Sequence, residues 1–133
     1  MENGMTTRSA GETILLVEDD DMLREGIRGI LEEFGYSIIE AEDGSKGIKE
    51  FAKNKDRIHL VLMDVIMPRK GGSDLLREIR MLMPHAKVII SSGYSGDLVI
   101  KDEGIRKDCR FIAKPYSPAD LLKLIEELLG KQT

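Results

Sequence analysis

The strongest constraint on this chain is a set of aliphatic runs, each stopping abruptly at a polar residue. Ile14-Leu15-Leu16-Val17 stops at Glu18-Asp19, and His59-Leu60-Val61-Leu62-Met63 stops at Asp64. Lys87-Val88-Ile89-Ile90 leads to Ser91-Ser92, and the shorter Phe111-Ile112-Ala113 leads to Lys114-Pro115. A strand with one solvated face alternates apolar and polar residues, whereas a parallel strand covered on both faces reads as a continuous apolar stretch. Tyr36-Ser37-Ile38-Ile39 supplies a further strand without a site residue. Segments with helical spacing lie between: Leu23, Ile27, Ile30, Leu31 and Phe34; then Ile48, Phe51 and Ala52; then Leu75, Leu76, Ile79 and Leu82. Strand alternating with helix argues an α/β fold with a doubly wound parallel sheet. In such a sheet ligands bind beyond the carboxyl ends of the strands, where this chain places acids, a hydroxyl and a lysine.

Capping signals support the boundaries. Ser117-Pro118-Ala119-Asp120 offers an N-cap hydroxyl, a proline at the first helical position and an acid three residues on, opening a helix that carries Leu121, Leu122, Ile125, Leu128 and Leu129. Gly130 is placed to end it, Gly35, Gly72 and Gly93 sit where turns are expected, and Pro84 separates the third helix from the fourth strand. From Ser95 to Cys109 the apolar stripe is poor and Gly104 interrupts it, so a short or mobile fourth helix is expected there.

At 133 residues the chain can bury a real core, and the periodic pattern occupies Thr13 to about Leu129, so no output domain with its own DNA-binding or catalytic fold is expected within these residues. Residues 1–11 read as a flexible leader or linker remnant, 12–130 as the domain and 131–133 as a tail. A net charge of −4 with interspersed signs speaks against direct nucleic-acid binding. Cys109 stands alone, which excludes a disulfide within one chain or a thiolate metal cluster, and His59 and His85 lack ligand-spaced companions. No run is long enough to span a membrane, and a cytoplasmic setting is expected.

The polar tips define a chemistry. Carboxylates gathered at one sheet edge repel one another unless a cation lies among them. Oxygen ligands select a hard ion, and Mg²⁺, which keeps several waters and takes one or two carboxylates plus phosphate oxygens, suits Glu18, Asp19 and Asp64 better than Ca²⁺ or Zn²⁺. A carboxylate beside such an ion can attack phosphorus, and the transferring group needs positioned positive charge more than a strong base. Lys114 and the Ser92 hydroxyl can supply that charge and a donor.

Taken together, Leu15-Leu16-Val17-Glu18-Asp19-Asp20, Met63-Asp64-Val65-Ile66-Met67-Pro68 with Gly72, Ser91-Ser92-Gly93-Tyr94, and Phe111-Ile112-Ala113-Lys114-Pro115-Tyr116 resemble the receiver domain of two-component response regulators. The resemblance spans Thr13 to Leu129 and implies a flavodoxin-like (βα)5 fold with strand order 2-1-3-4-5. It implies that Asp64 accepts a phosphoryl group from a phosphohistidine on a sensor histidine kinase or a histidine phosphotransfer protein. It implies a Mg²⁺ site made by Asp19, Asp64 and the backbone carbonyl of Ile66, with Glu18 acting mostly through water. Ser92 and Lys114 would contact the phosphoryl oxygens, and Lys114-Pro115 matches a position where the family commonly has a cis peptide. Four successive acids, Glu18 to Asp21, are candidates for the pair; family spacing selects Glu18 and Asp19 and puts Asp20 and Asp21 in the first turn of the next helix. The same matching selects Ser92 over Ser91.

Output in the resembling proteins is a switch in which the hydroxyl residue, here Ser92, moves toward the phosphoryl group and an aromatic, here Phe111, turns into the vacated space. The affected surface comprises the fourth helix, fifth strand and fifth helix, and it is also a candidate face for homodimerisation. Ile66 and Tyr94 are bulky where a polar side chain could position water, so slow self-hydrolysis of the phosphoaspartate is expected. The start of the domain and the Ser92-Gly93-Tyr94 turn look like receivers at the carboxyl ends of hybrid histidine kinases. Two other readings compete. Asp19-Asp20-Asp21 contains the Asp-x-Asp of haloacid-dehalogenase-type phosphohydrolases, although that reading leaves Asp64 idle; the other is a receiver-like interaction module that is never phosphorylated.

Overall fold

The aliphatic runs pair side by side into one five-stranded parallel sheet with the strand order 2-1-3-4-5 that the resemblance implies. A computed structural model describes residues 11–64, 72–93 and 107–130. Its elements in chain order are β1 (Thr13–Val17), α1 (Asp21–Glu33), β2 (Ser37–Ala41), α2 (Gly44–Asn54), β3 (Ile58–Asp64), α3 (Gly72–Leu82), β4 (Val88–Ser92), β5 (Cys109–Ala113) and a last helix, α4 (Pro118–Leu128). The short helix expected between Ser95 and Cys109 falls largely outside the described residues, as do Ile66 and Tyr94.

Every residue of β1 is buried, and its side chains part to opposite faces with the two-residue period of a strand. Leu15 and Val17 join Phe51, Val61, Met63, Leu75, Leu76, Ile79 and Ile90 in one core, with α2 and α3 over it. Ile14 and Leu16 join Ile27, Leu31, Leu60, Leu62, Ile89, Leu121 and Ile125 in the other, with α1 and α4 over it. Two cores explain the unbroken runs, since each face of the central strands has a helical layer to meet. The outer strands differ. Only β4 pairs with β5, and Phe111 at its centre is 37% exposed.

Helix starts follow local chemistry. The Asp20 carboxylate accepts from the Leu23 amide at 3.0 Å, which makes Asp20 the N-cap of α1 rather than a residue of its first turn, where Asp21 stays as expected. Asp43 caps α2 through the Lys46 amide at 2.8 Å, and Ser117 caps α4 through the Asp120 amide at 3.0 Å, with Pro118 just inside. Gly72 opens α3 rather than forming a separate turn. Leu23, Ala52 and Leu82, members of the helical spacing, are exposed. The β1–β3 register slips between Thr13 and Ile14, and the Thr13 amide at that slip donates to His59 Nδ1 at 3.0 Å. His59 is therefore structural, as expected.

The strand order reverses between β1 and β3, and at such a switch point the flanking loops splay apart and leave a crevice. The register brings the polar tips to it. Val17 pairs with Met63, so Glu18 and Asp64 follow side by side; Asp64 pairs with Ser91, and Ser92 with Ala113 immediately before Lys114.

Candidate acidic phosphoryl-acceptor site

Glu18 leaves β1 still bound to the sheet, its amide donating to the Ala41 carbonyl at 3.0 Å. Its side chain is 3% exposed and forms the floor of the crevice. Asp64, the last residue of β3, is buried as well, whereas Asp19 is exposed at the rim. One carboxylate oxygen from each of the three lies within 4.8 Å of the others. Lys114 completes the group from the far side of the sheet. Its Nζ donates to Asp64 Oδ2 at 2.9 Å and to Glu18 Oε1 at 3.0 Å. The Lys114-Pro115 peptide is cis, and the Lys114 amide donates to the Ser92 carbonyl at 2.8 Å, which anchors the backbone behind the ammonium.

The electrostatics follow from burial and pairing. Burial pushes the Glu18 carboxyl above its ordinary range, and the bonds from Lys114 and the Asp20 amide recover only part of the lost hydration. Burial works against the Lys114 charge too, but its bonds to Asp64 and Glu18 outweigh that, so its pKa is raised. Among the described residues a single ammonium thus faces two buried acids with a third beside them. All three side chains are oxygen donors, and the rim position of Asp19 leaves one side open to water. That combination fits a hard, partly hydrated divalent cation. Leu23, Lys114, Pro115 and Tyr116 line an open, mostly apolar recess of about 360 Å³ beside the ammonium.

The two serines occupy different environments. Ser91 is 2% exposed and its hydroxyl is turned to the Met63 carbonyl at 3.4 Å, inside the sheet. Ser92 is half-buried at the strand end. The Asp-x-Asp alternative loses its second acid: Asp21 Oδ1 lies 2.6 Å from Arg24 Nη2 and is largely exposed, away from Asp64. Phe111 lies on β5 with its ring partly in solvent, and the Ile66 carbonyl lies outside the described residues.

Several contacts near the site had no counterpart in the sequence reading. Arg24 Nη1 donates to the Glu18 carbonyl at 2.6 Å and its Nε to Glu40 Oε1 at 3.1 Å. A charged residue directly after the apolar Ile38-Ile39 pair of β2 was the available signal for Glu40. On the far face, Arg80 is 9% exposed and its guanidinium bonds the Ala86 carbonyl at 2.7 Å, the Lys107 carbonyl and Cys109 Sγ. That arrangement staples α3 to the start of β5.

Comparison with known proteins agrees with the geometry. The response regulator receiver domain family matches residues 14–126. The sensor kinase CckA of Brucella abortus (strain 2308) is 35% identical over 127 residues, which are 96% of this chain and 13% of that protein. A response regulator receiver domain protein of Clostridium thermocellum superposes with a TM-score of 0.81 at 30% identity, covering 90% of this chain and 94% of the other. The response regulator TrrA of Thermotoga maritima, solved in complex with Mg²⁺-BeF, superposes with a TM-score of 0.76 at 29% identity over 88% and 98% of the two chains. A match that takes in the whole sheet, its switch-point crevice and the polar ends of β1, β3, β4 and β5 makes this chain a member of the response regulator receiver domain family, the phosphoacceptor domain of two-component signalling.

Proposed function

We propose that Asp64 is the phosphoacceptor of this receiver and takes its phosphoryl group from a phosphohistidine on a sensor histidine kinase or a histidine phosphotransfer protein. The observation that carries the reading is the placement of Asp64 at the switch point, bonded to Lys114 at 2.9 Å and grouped with Glu18 and Asp19. An Asp64 carboxylate oxygen forms the new O–P bond as the P–N bond to the donor imidazole breaks, and the electron pair returns to the ring nitrogen. Lys114 is already aimed at Asp64 and pairs with the phosphoryl oxygens as they arrive. The Ser92 hydroxyl donates to a second oxygen. Asp19, Asp64 and the Ile66 carbonyl would hold Mg²⁺, with Glu18 acting through water. When bound, Mg²⁺ neutralises charge on the transferring group. The Mg²⁺-BeF complex of TrrA supports that choice of ion.

On this reading the chemistry is confined to transfer onto Asp64 and hydrolysis from it, and the output is a shift of the surface around β5 and α4, with Ser92 and Phe111 as the moving parts. The resemblance to CckA supports service in a hybrid histidine kinase pathway, and the β5–α4 side is the candidate face for a homodimer. The test is incubation with Mg²⁺ and acetyl phosphate followed by intact mass spectrometry. One added phosphoryl group is expected on the wild type and none on Asp64→Asn. An unchanged yield in Asp64→Asn would move the acceptor elsewhere.

A further inference from the structure

Glu18 and Asp19 can hold a cation only if the short connection between β1 and α1 keeps both carboxylates turned toward Asp64. One side chain grips that connection from several sides. Arg24 donates through Nη1 to the Glu18 carbonyl at 2.6 Å, through Nη2 to Asp21 at 2.6 Å and through Nε to Glu40 at 3.1 Å. Glu40 is itself fixed, its other oxygen accepting from Arg28 Nη1 at 2.6 Å. The Arg24 side chain is only 14% exposed, so the guanidinium is committed to the corner where β1, α1 and β2 meet. Its planar fork sets direction as well as distance, which a lysine ammonium does not.

The bonds on residue 18 are complementary. Its amide is held by Ala41 at 3.0 Å, its carbonyl by Arg24, and its carboxylate oxygens by the Asp20 amide at 3.1 Å and by Lys114 at 3.0 Å. Of these, the carbonyl bond orients the peptide that leads into Asp19. We propose that Arg24, anchored on Glu40, is a positioning residue for the divalent-cation site, fixing the Glu18–Asp19 peptide so that both acids face Asp64. This rests on the reading that these acids hold a cation.

Simple electrostatics predicts the opposite sign for the same residue. A guanidinium beside a cation site repels the incoming ion, so its removal would tighten binding if charge were its whole effect. Loss of an orienting partner weakens binding instead, by about tenfold for supporting residues of metal sites. Two variants separate these effects, Arg24→Gln, which removes the charge, and Arg24→Lys, which keeps it without the fork.

The experiment is an NMR titration of the full chain with Mg²⁺, beside amide hydrogen exchange of Asp20 in metal-free protein. Both variants are expected to need about tenfold more Mg²⁺ for half-saturation and to exchange the Asp20 amide faster than wild type. In phosphorylation by acetyl phosphate the half-saturating Mg²⁺ is expected to rise while the rate at saturating Mg²⁺ stays near wild type, a split that general destabilisation would not produce. Tighter Mg²⁺ binding by Arg24→Gln with wild-type behaviour of Arg24→Lys would overturn the proposal, and so would unchanged Asp20 exchange in both. If wild type showed no Mg²⁺ response while Asp20 exchange still rose in the variants, the cation-positioning role would fall, together with the cation reading. If Arg24→Gln does not fold, Arg24→Lys alone decides by the same measurements.

Discussion

Lys114 sets the stability of the crevice, because its ammonium is the partner of two buried carboxylates. Lys114→Met leaves both acids without it, and a loss of about 2 kcal/mol is expected in metal-free buffer. Added Mg²⁺ should restore more melting temperature to this variant than to wild type, since the cation takes over part of the same charge. Thermal unfolding with and without Mg²⁺ checks this, and equal Mg²⁺ effects would show that the ammonium and the cation do not share a site. The pH dependence follows from the same groups. Glu18 holds its proton more tightly folded than unfolded, mainly because it is buried, so between its unfolded value of 4.5 and its raised folded value the folded state binds more protons. Stability therefore falls as pH rises through that window, and Glu18→Gln should flatten that part of the metal-free stability curve. Lys114 acts with the same sign at higher pH. Its contribution is complete below its unfolded value of 10.5 and is lost as pH rises through its higher folded value. Urea denaturation across pH measures both limbs.

At the scale of elements, glycines report how closely each helix lies on the sheet. A Cβ at Gly29, on the exposed side of α1, would meet nothing within 4 Å, so Gly29→Ala is expected to gain about 0.5–1 kcal/mol from reduced chain entropy. At Gly47 in α2 the same carbon would lie 3.2 Å from Val17 Cγ2 and 3.3 Å from Leu75 Cδ2, both on fully packed side chains. Gly47→Ala is expected to lose about 1 kcal/mol despite its better helix propensity, and a gain equal to that of Gly29→Ala would refute the packing argument. Most elements were legible beforehand for related reasons. Two-sided burial made the central strands continuous in sequence, and the Ser117-Pro118 start of α4 is a purely local signal. Asp43 as a cap and Gly72 as a helix start were not legible, because neighbouring residues offered equally good turns. The exposed ends of the apolar stripes, Leu23 and Leu82, escaped because periodicity does not report where the sheet ends.

Across the whole molecule, the proposed function requires a signal written at Asp64 to reach the β5 edge, where Phe111 stands 37% exposed and Arg80 ties α3 to the beginning of β5. Phosphorylation is expected to shift amide resonances of β5 and α4 more than those of β2, although β1 and β3, which carry the site, lie between these edges. Equal responses at the two edges would count against a directional output. The sequence alone determined the doubly wound sheet, its two-sided core and the set of polar residues at the strand ends, because burial periodicity and turn chemistry are local and survive in one dimension. Only the tertiary structure decided that Lys114 bonds both Glu18 and Asp64, and that Arg24 and Glu40 grip the loop carrying the acids. Those facts depend on strand register and side-chain direction, which bring residues 6, 16, 50 and 96 positions apart into contact and leave no trace in the spacing of the chain.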